Sequence, residues 1–365
     1  MKMKTKTKIT SIFMLALLAT ACSNGDDPVN GGQAGEDKSE ILLRTTVMTR
    51  TSVESNSSGI ITTPTSLNVA FLRAPDHSSS TATSTVWADA IATVQTVEGT
   101  GPGVVDATLK NVSDENVLEF TNSQYYNIDG TIYSHLKGFY PKVNLVKDTH
   151  VSATWMIDGK TDVMVTNYFH DNKEVSGSSN PVTFQHLLSK ITIKVIADSD
   201  AAARSWGDVT EVIITGTKST VTHTFDGNEA NQYQSTSTAS TKEIPVLNAS
   251  GDQVLDTQAD NLTLTTDTLT FGKAMVYPEA NYNLVVKTSG GDDAELNGIV
   301  ISDGGAKPGM DHEITLTFKS GEILPSIKVN RGKMAVQDQV PYNNSNNLHR
   351  PDRISFFSGH QMKKN

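Results

Sequence analysis

Apolar and polar side chains alternate along much of this 365-residue chain, in short stretches that end at turn residues. In the stretch 66–74, Leu67, Val69 and Phe71 fall on one face of an extended segment, and polar or small residues separate them. The same pattern recurs in KITIKVIA (190–197), DVTEVIITG (208–216), NYNLVVKT (281–288) and HEITLTF (312–318). A period of two residues indicates β-strands with one buried face.

Turn signals separate these stretches. Asp-Gly pairs, which suit hairpin turns, occur at 129–130, 158–159, 226–227 and 303–304. Tracts rich in Ser, Thr, Gly and Asn predict surface loops at 76–85, 171–181 and 228–241. Helical periodicity is nearly absent, and the best candidate is a short turn from Asp200 to Ser205. The sequence therefore predicts an all-β fold of antiparallel β-sandwiches.

The length of the chain favours two domains. The polar, proline-bearing stretch 171–181 is a plausible boundary, because a strong new strand pattern begins directly after it. We predict one sandwich over 40–175 and a second over 182–330. The last stretch, 331–365, loses the alternation and is assigned to neither core.

The N-terminus has the form of a bacterial lipoprotein signal. Basic residues precede an apolar run that is too short to span a bilayer as a stable helix, and small residues lead to Cys22, the only cysteine. We predict a signal peptide over 1–21 and lipid attachment at Cys22. Because each buried methylene contributes about 0.8 kcal/mol, several acyl chains hold a protein at a membrane. A chance cysteine behind an ordinary signal peptide is the alternative.

Residues 22–39 are polar, rich in glycine and acidic, which predicts a flexible tether. The acidic patch resembles the signal that sends Bacteroidetes lipoproteins to the outer face of the outer membrane, and a generic linker is equally compatible with it. A single cysteine allows no disulfide within the chain, so stability must come from packing.

The formal charge of −10 argues against nucleic acid or an anionic lipid surface as a partner. No apolar run after the signal approaches the roughly 18 residues of a transmembrane helix. The lipid on Cys22 is the only membrane contact that we expect.

Candidate chemistry is sparse, and we predict no active site, no metal and no cofactor. The nine histidines are scattered, and His186 beside an apolar stretch suits a structural histidine far better than a metal ligand. The acidic glycine stretches 289–293 and 302–305 suit turns rather than calcium sites. Asp198 and Asp200 suit a solvated strand end. Low aromatic content, with three widely separated tryptophans, argues modestly against a lectin.

Several stretches together resemble the fimbrillin family of Bacteroidetes, whose members are pilus proteins. They are the lipobox at Cys22, ILLRTTVMTRTS (41–52), GFYPK (138–142), WMIDGKTDVMVTN (155–167), VTFQHLLSKITIKVIA (182–197) and KPGMDHEITLTF (307–318). The resemblance covers about residues 40–330, most of the chain behind the predicted signal. It implies two tandem transthyretin-like β-sandwiches, export as a lipoprotein, and assembly instead of catalysis.

The resemblance also implies a maturation step. In polymerising fimbrillins a trypsin-like protease cuts after an arginine near the start and releases the first strand, and a strand from a neighbouring subunit fills the groove. The candidate arginines here are Arg44 and Arg50, with a slight preference for Arg50, and ordinary strand-surface arginines are the alternative. The implied partners are other pilus subunits, the outer membrane through the lipid on Cys22, and a host or bacterial surface receptor. One departure from the family is the polar, basic C-terminal region, in which a donor strand is hard to recognise.

Three functions stay open, and the first is a fimbrillin-type pilus subunit, anchor or tip protein that serves adhesion. The second is a surface lipoprotein that binds glycans for nutrient uptake, which a row of exposed aromatic residues would favour. The third is a lipoprotein hydrolase, which would need a cluster of acid and base residues that the sequence does not show.

Overall fold

The computed structural model describes residues 38–48, 54–55, 61–63, 65–92, 101–113, 115–175, 181–237, 241–248, 261–291, 293–302 and 304–330. The predicted signal peptide, Cys22, most of the predicted tether, Arg50 and the tail 331–365 lie outside these residues.

The described residues are mostly β-structure, which confirms the predicted all-β class. The strands are β1 (Thr45–Met48), β2 (Glu54–Ser55), β3 (Ile61–Thr63), β4 (Ser66–His77), β5 (Gly103–Val112), β6 (Glu115–Phe120), β7 (Tyr133–Tyr140), β8 (Leu145–Lys147), β9 (Val151–Met156), β10 (Met164–Thr166), β11 (Phe169–Asp171), β12 (Val182–His186), β13 (Ser189–Ala197), β14 (Asp208–Lys218), β15 (Thr220–Phe225), β16 (Thr241–Pro245), β17 (Leu262–Thr263), β18 (Leu269–Val276), β19 (Asn281–Thr288), β20 (Ala294–Val300), β21 (Asp311–Lys319) and β22 (Glu322–Asn330). The helices are α1 (Ser84–Ala92), α2 (Asp200–Trp206) and a 3₁₀ turn (Glu229–Asn231).

The largest sheet has eight strands in the order β1-β12-β10-β7-β4-β5-β6, with β11 also paired to β7. Its pairs are antiparallel except β1–β12, which is parallel and aligns Val47 with Phe184. Residue Arg44 forms an isolated bridge to Val117 of β6. The chain that leads into β1 therefore connects the two ends of this sheet.

The remaining long strands form smaller sheets. A four-stranded sheet has the order β18-β13-β21-β22, a five-stranded sheet has β16-β14-β19-β20 with β17 beside β14, and β15-β9-β8 form a third. The β13–β21 pair is parallel, whereas the sequence predicted antiparallel pairing throughout. Two parallel pairs thus modify the predicted antiparallel arrangement.

The buried apolar residues form two clusters. The larger cluster combines Ile193 and Ile314 of the four-stranded sheet with Val212 and Leu284 of the five-stranded sheet, so these two sheets pack as a sandwich. The smaller cluster lies on one face of the eight-stranded sheet and centres on Phe71.

Strand pairing also crosses the predicted domain boundary. Strand β12 belongs to the eight-stranded sheet although it follows residue 181, and β15 pairs with β9. The division into 40–175 and 182–330 stays a prediction.

Two local predictions were wrong. Helix α1 was not predicted, and it overlaps the predicted loop 76–85 only at its first two residues. It forms because burial of Trp87 and Ala90 against the larger cluster outweighs a sequence with weak helical periodicity. The Asp-Gly pairs at 129–130, 158–159 and 226–227 lie in longer connections and not in two-residue hairpins. At Asp158, for example, the carboxylate accepts hydrogen bonds from the N–H groups of Lys160 and Thr161 and forms its own turn.

Helix α2 confirms the predicted helical turn near Asp200, and its start depends on one side chain. The Ser199 hydroxyl accepts a hydrogen bond from the Ala202 N–H at 3.2 Å. We expect Ser199→Ala to lower the free energy of unfolding by about 1 kcal/mol, because an N-cap bond is lost. Urea denaturation measures this change. The matched control is Ser205→Ala at an exposed position of the same helix, which should stay within about 0.5 kcal/mol of the wild type; equal effects of both changes would contradict the capping role.

Candidate functional site

Residues 39–48, called the N-terminal segment here, alternate between buried and exposed side chains. Ile41, Leu43 and Val47 are 1%, 7% and 0% exposed, whereas Leu42 is 78% exposed. Arg44 is exposed on the same outer face as Leu42. The segment therefore behaves as a strand that inserts every second side chain into the protein.

Backbone hydrogen bonds hold this segment on both sides. On one side the Ile41 N–H donates to the Gln124 carbonyl at 2.7 Å, and the Tyr126 N–H donates to the Ser39 carbonyl at 2.9 Å. On the other side the Val182 N–H donates to the Arg44 carbonyl at 2.8 Å. The segment thus fills a groove between β12 and the region of β6 and the loop after it.

The floor of the groove is the smaller apolar cluster. The buried side chains of the segment join Phe71, which makes edge-to-face contacts with Phe120 and Phe184 at centroid distances of 5.5 and 6.2 Å. Burial of one Ile, Leu or Val side chain contributes roughly 1.5–3 kcal/mol, so the three buried side chains hold the segment by roughly 5–9 kcal/mol. Without the segment, the groove would expose this apolar floor and unpaired backbone groups.

A buried arginine supports the loop that receives the segment. Arg73 is fully buried, and its guanidinium donates to the Gln124 side-chain oxygen at 3.1 Å, to the Tyr125 carbonyl at 2.8 Å and to the Asp76 carboxylate at 3.1 Å. The ion pair with Asp76 balances the buried charge. Arg73 therefore fixes the backbone to which Ile41 binds. Sequence reasoning missed this role, although an arginine inside the apolar run of β4 was a signal for it.

The same wall contains a tyrosine with a perturbed hydroxyl. Burial, followed by the charge of Asp171, raises the pKa of Tyr126 above its ordinary value. The Tyr126 hydroxyl lies 3.5 Å from the Asp171 carboxylate. This tyrosine therefore stays protonated at physiological pH and acts as a neutral part of the wall.

Of the predicted site residues, Arg44 alone lies within the described part of the chain, at the outer surface of the N-terminal segment. Its backbone carbonyl is engaged with Val182, so the peptide bond after Arg44 must leave the sheet before a protease can bind it. Cys22 and Arg50 lie outside the described residues, and their assignments stay predictions.

The other residues considered for chemistry have structural surroundings. His186 is buried, and its Nδ1 lies 2.8 Å from the carboxylate of buried Asp162. Asp198 and Asp200 are exposed at the start of α2, where the Ser199 hydroxyl donates to Asp198 at 3.0 Å. Among the described residues, no group of three or more His, Cys, Asp or Glu side chains is arranged to hold a metal ion.

The tryptophans do not form a row on the surface. Trp87 and Trp155 are 1% and 2% exposed, and Trp206 packs on Phe318 while its indole N–H donates to the Lys319 carbonyl. The three tryptophans therefore do not provide the row of exposed aromatic side chains that would favour a glycan-binding lipoprotein of nutrient uptake.

In the ranges that the structure describes, no helix has the length and apolar character needed to cross a membrane.

Solved structures of proteins from Bacteroides species are similar to this chain. A candidate cell adhesion protein from Bacteroides uniformis matches over 81% of this chain and 98% of that one, with a TM-score of 0.50 and 14% identity. A fimbrial protein from Bacteroides vulgatus matches over 81% and 100%, with a TM-score of 0.35 and 16% identity. A candidate adhesin from Bacteroides thetaiotaomicron matches over 80% and 95%, with a TM-score of 0.41 and 8% identity.

No family model and no curated protein matches the sequence. At these identities the likeness to the solved structures is one of fold, and of the three named here the Bacteroides uniformis protein supports it, with its TM-score of 0.50. This chain has the fold of that candidate cell adhesion protein, in agreement with the resemblance of its sequence to the fimbrillin family.

Proposed function

We propose that this chain is a fimbrillin-type surface protein, a pilus subunit or a pilus-associated anchor or tip protein, that serves adhesion and assembles by β-strand donation. It reaches the outer membrane as a lipoprotein attached through Cys22. The fold that it shares with a candidate cell adhesion protein supports an adhesive, cell-surface role instead of an enzymatic one.

The observation that carries the proposal is the N-terminal segment in its groove. Three apolar side chains of the segment are buried in the smaller apolar cluster, and its backbone bonds to both walls of the groove, yet the segment follows directly on the predicted tether. An exchange of this segment for a strand of another subunit preserves both the backbone hydrogen bonds and the apolar contacts. Because such a contact runs head to tail and does not close, repetition produces a filament.

The two candidate arginines differ in what their cleavage would release. A cut after Arg44 removes Ile41 and Leu43 but leaves β1 paired to β12. A cut after Arg50 releases the whole of β1 with Val47, and with it the Arg44 carbonyl that accepts from the Val182 N–H, so it empties the groove. We therefore assign maturation to Arg50.

We expect trace trypsin to convert the full-length chain to a product that begins at Thr51 and then to give ladders of oligomers on a gel. Arg50→Gln should abolish this product and the ladders, because the intact segment keeps the groove occupied. Arg44→Gln, four positions before the end of β1, is the matched control and should behave as the wild type. N-terminal sequencing and intact mass identify each product.

Protein recovered from assembled fibres that still begins at a lipid-bearing Cys22 would contradict maturation by cleavage. A trimmed chain that stays monomeric would contradict self-polymerisation and favour an anchor or tip role.

A further inference from the structure

A polar cleft of about 410 Å³ lies beside β11, and no residue of the N-terminal segment is among its described lining residues. We call it the β11 cleft. Its walls include Tyr133 at the start of β7, His170 and Asp171 on β11, and Glu229 and Gln232 in and after the 3₁₀ turn. These residues are far apart in sequence. The pairing of β11 with β7 brings Tyr133 near β11, and the bond from the Tyr168 N–H to the Gln232 side chain brings the 3₁₀ turn beside them. Ligand sites commonly have volumes of about 300–1,000 Å³, so this cleft suits a small ligand.

The wall formed by Gln232 is fixed from behind. The Tyr168 N–H donates to the Gln232 side-chain oxygen at 3.2 Å, which turns the amide nitrogen of Gln232 outward as a donor. Below it, fully buried Lys137 donates to the Gln232 carbonyl at 2.7 Å and lies 4.1 Å from the centre of the Tyr168 ring. The buried lysine thus holds the backbone and the aromatic wall of the cleft in one geometry.

The polar groups around the cleft include both donors and acceptors. The Glu229 side chain is 58% exposed, and the Nδ1 of His170 lies 4.0 Å from its carboxylate. The Tyr133 hydroxyl and the Gln232 amide nitrogen have no hydrogen-bond partner within the described ranges. Asp171 is buried, and its carboxylate is engaged by the Asn172 N–H and the Tyr126 hydroxyl. The exposed carboxylate of Glu229 therefore stands with two free donors in one small space.

We propose that the β11 cleft binds a neutral saccharide, such as the terminal sugar of a surface glycan. Each sugar hydroxyl both donates and accepts, which matches the mixture of a free amide, a phenol and a carboxylate, and Tyr133 is among the aromatic side chains that line the cleft and can contact sugar C–H groups. No lysine or arginine lines the cleft among the described residues, so sialylated, sulfated or phosphorylated sugars are disfavoured. A cleft of this size accommodates the end of a glycan rather than a long stretch of it.

This inference rests on the proposed function, because it names the class of receptor for an adhesin. It differs from the aromatic platform considered for a nutrient-uptake lipoprotein, since the cleft depends on polar groups and one tyrosine ring. Binding at the cleft does not involve the N-terminal segment, so the two proposals succeed or fail separately.

The test uses saturation-transfer NMR on the purified full-length chain with the methyl glycosides of glucose, galactose, mannose and N-acetylglucosamine. We expect at least one of them to bind with a dissociation constant of about 1–10 mM, a usual value for a single small contact. Glu229→Ala should weaken binding at least about tenfold, because a charged hydrogen bond is lost. Tyr133→Phe, which removes only the hydroxyl, should weaken it severalfold.

The matched control is Glu243→Ala, an exposed glutamate on β16 outside the cleft, which should bind like the wild type. Failure of all four glycosides to bind would overturn the proposal, as would unchanged binding in Glu229→Ala. Preferential binding of N-acetylneuraminic acid or of a lysine amide would also overturn it, since either result means a charged ligand. In each of these cases trypsin trimming and oligomer ladders report separately on the pilus role.

Discussion

Val47→Asp is expected to expel the N-terminal segment from its groove without any proteolysis. Val47 is fully buried in the smaller apolar cluster, in register with Phe184 of β12. The change removes the burial of one apolar side chain and places a carboxylate among the apolar side chains of the cluster. An uncompensated buried charge costs roughly 3–5 kcal/mol, a large part of the roughly 5–9 kcal/mol that apolar burial contributes to the segment.

Hydrogen exchange at the Val182 amide measures this release, because that N–H donates to the Arg44 carbonyl of the segment. We expect its exchange in Val47→Asp to be at least about a hundredfold faster than in the wild type, which corresponds to roughly 3 kcal/mol. Trimming by trypsin should accelerate in parallel, and oligomers should form at lower protease concentration. The Ile191 amide in the four-stranded sheet should keep its protection if the rest of the fold stays intact.

The matched control is Leu42→Asp, which introduces the same charge in the same segment at a position that is 78% exposed. It should leave Val182 protection and trimming unchanged. Equal acceleration in both variants would mean that charge, not loss of burial, loosens the segment. Unchanged exchange in Val47→Asp would contradict the idea that alternate apolar contacts retain the segment and would remove the main support for strand donation.

The parts of the fold that the sequence predicted are those governed by local alternation. Leu67, Val69 and Phe71 are buried as their spacing indicates, and Ile191 and Ile193 likewise. From Ala70 onward the other face of β4 is buried as well, because Ala70, Leu72 and Ala74 pack in the larger cluster, whereas Asn68 is exposed. A period-two pattern identifies a strand but cannot tell whether its opposite face is covered.

Long-range pairing could not be predicted in this way. The parallel β13–β21 pair joins segments more than a hundred residues apart, and nothing in either strand specifies the other as its partner. The Arg73 network and the β11 cleft could not be predicted from the sequence for the same reason. Each depends on side chains that the topology brings together from several loops, so no spacing within one stretch of sequence reveals it.

A pronounced loss of stability in weak acid is the second large effect that we expect, and its source is two buried histidines. His135 on β7 donates through Nε2 to the Ser79 carbonyl at 3.1 Å, and His223 on β15 donates through Nδ1 to the Gln234 carbonyl at 2.7 Å. Burial, and then the neighbouring His170, lowers the pKa of His135 to about 4. Burial, and then the charge of Lys137, lowers the pKa of His223 to about 3.

The direction of the pH effect follows from these two values. In the unfolded chain a histidine gains its proton as the pH falls through about 6.5, whereas both folded histidines remain neutral until the pH is much lower. Their neutral forms therefore give full stability above pH 6.5, and that stability is lost between pH 6.5 and about 4 for His135 and about 3 for His223. At pH 5 each histidine should account for a loss of about 2 kcal/mol relative to pH 8.

Urea denaturation of the wild type, His135→Gln and His223→Gln at a series of pH values tests this expectation. The informative quantity is the fall in the free energy of unfolding from pH 8 to pH 5, because each substitution also changes packing at every pH. That fall should shrink by about 2 kcal/mol in each single variant and by about 4 kcal/mol in the double variant. The exposed His150→Gln serves as the control and should reproduce the slope of the wild type. If the double variant lost as much free energy of unfolding from pH 8 to pH 5 as the wild type, the acid sensitivity would come from carboxylates and not from these histidines.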